Sequence, residues 1–138
     1  MNQHKQKKLL SIVSPAYNEA ANLDEFYSRV VSATSNLNLE IEIVYINDGS
    51  QDDTIDIITR QGENDNRISV IDLSRNFGKE IALTAGLDYA SGDAVVVIDT
   101  DLQDPPETIP EMINKWQTGT QIVWAVRNIR IGETALTK

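Results

Sequence analysis

The chain contains no cysteine and a single histidine, His4. Without thiols there are no disulfides, thiolate metal sites or cysteine nucleophiles. A histidine confined to a polar, lysine-rich start leaves acid and base work in the body of the chain to carboxylates. Basic residues are scarce beside acidic ones, 12 Lys plus Arg against 21 Asp plus Glu for a net charge of −9. That balance repels a nucleic-acid backbone, so nucleic acid is not an expected partner. No stretch reaches the roughly 18 apolar residues of a membrane span. The short Lys5 to Lys8 segment has no long apolar run behind it and does not read as a secretion signal, so the chain is expected to be soluble. Two glycine motifs are also missing. There is no G-x-G-x-x-G, and although Gly78-Lys79 matches the end of a P-loop, Leu73 stands where its first glycine belongs.

What is present is a chain of 138 residues, 41% hydrophobic, which suits one domain with a sizeable core. Strand-like runs alternate with helix-like ones. Strands are predicted over residues 9–13, 41–46, 68–73, 94–98 and 121–126. Helices are predicted from Leu23 to near Asn36, over 54–61, over 79–90, and after Pro106, which suits a first helical position. Asn22 with Glu25, and Ser50 with Asp53, supply capping signals, and Ile55 and Ile58 are expected to face inward. The 94–98 run is apolar at every position, the pattern of a parallel strand covered on both faces. Strands separated by helices imply βαβ units. The predicted fold is therefore an α/β, mostly parallel sheet flanked by helices on both faces, with ligands at the carboxyl ends of its strands.

Polar motifs fall at those ends. Asp99-Thr100-Asp101-Leu102-Gln103-Asp104-Pro105-Pro106-Glu107 follows the fourth strand. Asp99 and Asp101, with Gln103 as a third oxygen, are the hard ligands that Mg²⁺ or Mn²⁺ prefers when substrate phosphates complete the shell. The competing reading is a helix-capping loop with solvated acids. An EF-hand calcium loop fails, because its sixth position would be Asp104 rather than Gly and its twelfth Pro110 rather than Glu. Asn47-Asp48-Gly49-Ser50 ends the second strand, where Asp48 could accept from a base or ribose or simply make a turn. Pro15-Ala16-Tyr17-Asn18-Glu19 ends the first, with Tyr17 placed to stack on a base, or both Tyr17 and Glu19 serving only the loop. Arg75, Lys79 and Arg127 are candidates for phosphate or for plain surface charge.

Together these strings resemble family 2 glycosyltransferases of GT-A fold, within which the polyprenyl-phosphate (bactoprenol) glucosyltransferase and dolichol-phosphate mannose synthase branch is most similar. The similarity spans residues 9–130, and Asp-Leu-Gln-Asp-Pro-Pro-Glu is its most specific part. The resemblance implies metal-dependent, inverting transfer of a hexose from a nucleotide sugar to a polyprenyl phosphate, with UDP-glucose favoured over GDP-mannose as donor. It places Pro15, Tyr17, Glu19 and Asp48 around the nucleoside. Asp99, Asp101 and Gln103 would hold Mg²⁺ or Mn²⁺ against the diphosphate, and Arg127 would meet phosphate, although the family's glycine two residues earlier is Ala125 here.

Members of this branch are more than twice as long and carry their acceptor-site Asp and membrane-associated helices in the later half. No catalytic residue is therefore assigned within the chain, and the acceptor-site Asp is expected beyond Lys138. The division expected is a polar segment over 1–8, a nucleotide-sugar-binding core over 9–130 and a stub over 131–138. The resemblance implies a chain that binds donor, transfers little sugar alone, and belongs to a protein on the cytoplasmic side of a membrane. An uncovered apolar face would also be compatible with a homo-oligomer. Two alternatives remain: a non-catalytic nucleotide-sugar or metal-binding module, and a sugar nucleotidyltransferase. A basic, glycine-rich triphosphate loop, which the second would need, is absent.

Overall fold

The computed structural model describes residues 7–119. Four strands, β1 (Leu9–Ala16), β2 (Glu40–Asn47), β3 (Ile68–Asp72) and β4 (Ala94–Val97), alternate with helices α1 (Leu23–Thr34), α2 (Thr54–Asn64), α3 (Lys79–Tyr89) and α4 (Ile109–Gln117). The sheet order is β3-β2-β1-β4, and every pairing is parallel. The chain thus steps outward from β1 to β3 and then returns to the other side of β1. That reversal puts a topological switch point between β1 and β4, where open α/β sheets take their ligands.

Alternation along the strands sorts the core into two layers. Leu10 and Ile12 of β1, Ile41, Ile43 and Tyr45 of β2 and Val96 of β4 face Leu23, Phe26 and Val30 of α1, Ile58 of α2 and Ile109 and Ile113 of α4. On the opposite face, Val13, Val44 and Ile46 meet Ala82 of α3. The approach of α3 is close because a Cβ at Gly86 would lie 2.5 Å from Ile46 Cδ1 and 2.6 Å from Val13 Cγ1. Tyr45 is fully buried, and its hydroxyl is satisfied by donating to Gln61 Oε1 at 2.8 Å.

Several local expectations are corrected. Asn22 does not cap α1 with its side chain; its amide donates to Glu19 Oε1 at 2.9 Å instead. Asp53 precedes α2 without a side-chain cap, whereas Asp52 Oδ1 accepts from Thr54 N at 3.0 Å. Asn22 finds its partner three residues back in the same loop, whereas Asp52 Oδ2 also accepts from Ala20 N at 3.1 Å in the loop after β1, a partner that local spacing does not reveal. Helix α1 ends at Thr34 rather than near Asn36. Pro106 opens a 3₁₀ turn, Pro106–Thr108, and α4 begins only at Ile109. Ile58 is buried, but Ile55 is not.

The largest departure concerns β4. It ends at Val97, and Val95 and Val97 are 41% and 42% exposed, so this strand is not covered on both faces among the described residues. The reason is the placement of α3, which packs over β1 and β2 and leaves the α3 side of the β4 edge open. The predicted strand over 121–126, Arg127 and the expected stub that runs to Lys138 lie outside the described residues, as does His4.

Candidate functional site

Three loops at the carboxyl ends of the strands are sewn together by their own polar groups. Asn18 N donates to Ser50 Oγ at 2.9 Å, and Gln51 N donates back to Asn18 Oδ1 at 2.8 Å. Asn18 adopts φ 54°, which asparagine tolerates. The loops after β1 and β2 therefore form one unit. The loop after β3 is joined to it through Asp48, a buried carboxylate whose Oδ1 accepts from Phe77 N at 2.8 Å and whose Oδ2 accepts from Gly78 N at 3.1 Å. Gly49 makes this junction possible. It adopts φ 69°, and a Cβ there would sit 2.3 Å from both Arg75 C and Asn76 N.

Between these loops opens a cleft of about 420 Å³, within the range of small-molecule sites. Tyr17, exposed on one side, faces a polar set that includes Asn47, Ser50, Asp72, Arg75 and Asn76. Asn47 Nδ2 donates to Asp72 Oδ1 at 2.9 Å, which fixes the carboxylate at the cleft's edge. The Arg75 guanidinium lies 4.0 Å from the Phe77 ring centroid, a cation–π contact that holds its charge near the same opening.

The acidic loop lies beyond β4. Asp99 is mostly buried and accepts from Lys79 Nζ at 2.5 Å, while Asp101 Oδ1 accepts from Gln103 N at 3.0 Å in a tight turn. Between them, Leu102 has φ 67°, a left-handed conformation unfavourable for a branched aliphatic residue, and its side chain packs on the core. Core packing thus holds a strained turn flanked by half-buried Asp101 and exposed Gln103. The end of the loop is tied down by Arg29, whose Nε and Nη2 donate to Glu107 Oε2 and Oε1 at 2.9 and 2.6 Å. Thr100 Oγ1 donates to Pro15 O at 3.3 Å, linking this loop to the end of β1.

Two carboxylates and an amide are the hard oxygen donors that suit Mg²⁺ or Mn²⁺. Among the described residues no cluster of three or more His, Cys, Asp or Glu could hold a metal unaided. A cation held by this donor set would have to draw the rest of its shell from water and a ligand's phosphates.

Of the residues singled out in the sequence, Tyr17 lines the cleft, while Pro15 and Asp48 are buried behind it. Glu19 lies in the loop between β1 and α1, where its backbone N donates to Thr54 Oγ1 at 2.9 Å. Asp99 and Lys79 are brought together, with Asp101 and Gln103 on the same loop. Asn47, Asp72 and Gln51 were not singled out, yet they line the cleft. The available signal was positional: Asp72 is the last residue of β3, just as Asn47 is of β2.

An open parallel sheet with its polar loops gathered at one end, wrapped around a nucleoside-sized cleft and an acidic turn, is the architecture of GT-A glycosyltransferases. Residues 11–138 match the model of Glycosyl transferase family 2, and the chain belongs to that family. The chain is 49% identical over 138 residues to the uncharacterized glycosyltransferase YkcC of Bacillus subtilis (strain 168), covering 100% of this chain and 42% of the relative. It is also 49% identical over 121 residues to the bactoprenol glucosyl transferase of Shigella phage SfV, covering 88% of this chain and 39% of that protein. The chain thus spans about two-fifths of the length of these relatives. Among solved structures it is similar to glucosyl-3-phosphoglycerate synthase from Mycobacterium tuberculosis in complex with Mn²⁺, uridine diphosphate and glucosyl-3-phosphoglycerate. That similarity has a TM-score of 0.63 and 28% identity, over 81% of this chain and 40% of the other.

Proposed function

We propose that this chain forms the donor site of a metal-dependent, inverting glycosyltransferase that moves a hexose from a nucleoside-diphosphate sugar to a polyprenyl phosphate. The observation that carries the reading is the adjacency of the cleft and the acidic turn: Asn76 lines the cleft, and three residues on, Lys79 is bonded to Asp99. A nucleoside in the cleft would direct its diphosphate toward that turn. Tyr17 offers an aromatic face for the base, and Asp72, held by Asn47, offers an acceptor for a base or ribose N–H or O–H.

A divalent cation on Asp99, Asp101 and Gln103 would neutralise charge growing on the departing diphosphate, so that no acid is needed there. Lys79 and Arg75 add cations on the approach to it. The described residues contain no cysteine or histidine, and a phosphate acceptor, already anionic, needs little base assistance. An acceptor-site Asp, expected beyond Lys138, would belong to the remaining length of such an enzyme and is not assigned to any residue of this chain. Support for the acceptor class comes from the bactoprenol glucosyl transferase relatives, and support for metal and nucleotide from the Mn²⁺ and uridine diphosphate bound to the M. tuberculosis enzyme. UDP-glucose is the favoured donor and GDP-mannose the comparator.

Isothermal titration of both nucleotide sugars, with Mn²⁺ present or chelated, tests this reading. Binding of UDP-glucose that needs Mn²⁺ and disappears in the double variant Asp99→Asn, Asp101→Asn is the expected result. Metal-independent binding, or none by a folded chain, would reject it.

A further inference from the structure

Lys79 opens α3 and reaches across to β4's end, where its ammonium donates to Asp99 Oδ2 at 2.5 Å. The two ends of this pair differ: the Asp99 side chain is 17% exposed and that of Lys79 is 63% exposed. Asp99 is thus a fixed acceptor and Lys79 a mobile donor on a flexible four-carbon stem. The base of that stem is nevertheless aimed. The two residues before Lys79 give their backbone N–H groups to the buried Asp48 carboxylate, which anchors the start of α3 to the end of β2. Lys79 thus connects the cleft-forming loops to the acidic turn through a charged pair, beside the Thr100–Pro15 hydrogen bond. Lys79 takes only one of the two Asp99 oxygens, but an ammonium and a divalent cation on the same carboxylate repel each other and compete for its charge.

We propose that Lys79 is a displaceable counter-ion of Asp99. It neutralises the acidic turn while no metal is bound, leaves Asp99 as a divalent cation enters, and then pairs with the diphosphate of the incoming nucleotide. The proposal rests on the donor-site reading above and adds an exchange of partners that this reading does not require. Its consequence is a reversal of sign. Removing the lysine's charge helps the metal alone, since nothing competes for Asp99, and harms the nucleotide, which loses a cation. A lysine–carboxylate pair whose ammonium is exposed is weak, so the gain in metal affinity is expected to be about two- to fivefold.

The test is free-Mn²⁺ quantitation by electron paramagnetic resonance on the full chain, for wild type, Lys79→Met, Lys79→Arg and Asp99→Asn, followed by UDP titration at saturating Mn²⁺. Asp99→Asn defines the specific site against diffuse binding to an acidic protein. Expected are two- to fivefold tighter Mn²⁺ binding by Lys79→Met without nucleotide, wild-type binding by Lys79→Arg, and UDP binding several-fold weaker in Lys79→Met. Equal Mn²⁺ affinity in wild type and Lys79→Met, at a site that Asp99→Asn removes, would overturn the counter-ion role and leave the donor site standing. Undiminished UDP binding by Lys79→Met would overturn the exchange of partners. No Asp99-dependent binding of Mn²⁺ or UDP in any variant would overturn both readings.

Discussion

On Asp65 several donors converge. Arg67 gives its backbone N–H at 3.0 Å, its Nε at 3.0 Å and its Nη2 at 2.9 Å, and Tyr27 gives its hydroxyl at 2.6 Å. The Arg67 guanidinium first, and then the Tyr27 hydroxyl, hold this carboxyl well below the usual carboxylate range, against the opposing effect of burial. Because its folded-state pKa lies below the unfolded value, the stabilisation is fully present above about pH 4 and is lost as pH falls through the depressed value. Asp65→Asn is expected to lower unfolding free energy by about 2 kcal/mol at pH 7, the scale for hydrogen bonds to a charged group. The gap from wild type should narrow toward acid, and urea titrations at pH 7 and pH 3 measure it. Asp48 makes a related point about reading residues in isolation. Its place in Asn-Asp-Gly-Ser marks a polar strand end, but its two oxygens go to backbone N–H groups nearly thirty positions away, a partner that only folding supplies.

Among the elements, α3 reverses the usual helix pattern. Its small residues Ala82 and Gly86 face the sheet, while Ile81, Leu87 and Tyr89 are exposed. A Gly86→Ala change would favour the isolated helix by about 1 kcal/mol. Against that stand contacts of 2.5 and 2.6 Å for the new methyl, and overpacking of this kind costs about 1–3 kcal/mol. The variant is therefore expected to be no more stable than wild type and up to about 2 kcal/mol less stable. A urea midpoint above wild type would show that α3 can back away freely. The four described strands were legible as apolar runs because their pattern survives any tertiary arrangement. Helix starts were less legible, since Asn22 and Asp52 spend their side chains on neighbours that differ from the local capping scheme. The 3₁₀ turn at Pro106 was likewise hidden, as it depends on Pro105 O accepting from Thr108.

For the whole molecule, the charge of −9 and an anionic ligand look incompatible until the site is considered locally. Under the proposed donor-site reading, Arg75, Lys79 and a shared cation would make the loop end receptive although the protein as a whole repels anions. If nucleotide and metal bind the folded state together, a ligand at about 100 times its Kd stabilises by about 2.7 kcal/mol. For a chain of this size that corresponds to a rise in Tm of about 10 °C. Differential scanning calorimetry with UDP and Mn²⁺ is expected to show this rise and its loss with a chelator; a Tm unmoved at saturating ligand would contradict the donor-site proposal. No helix among the described residues is long and apolar enough to cross a membrane.

The residue order alone determined the alternation of strands and helices, the parallel sheet this implies, and the polar strings that stop each strand, because hydrophobic period and charge are written locally. It also carried the family, through the Asp-Leu-Gln-Asp-Pro-Pro-Glu string and its companions. Tertiary structure decided which of those polar groups serve the cleft and which serve the scaffold. Tyr17 and Asp72 reach the opening and Asn47, itself buried, holds Asp72 at the cleft wall, whereas Pro15 and Asp48 are buried and do not line it. Among the described residues it also left one face of β4 exposed, and it set Lys79 on Asp99. These outcomes depend on where α3 settles and on hydrogen bonds between loops far apart in the chain, and neither is encoded in any single window of sequence.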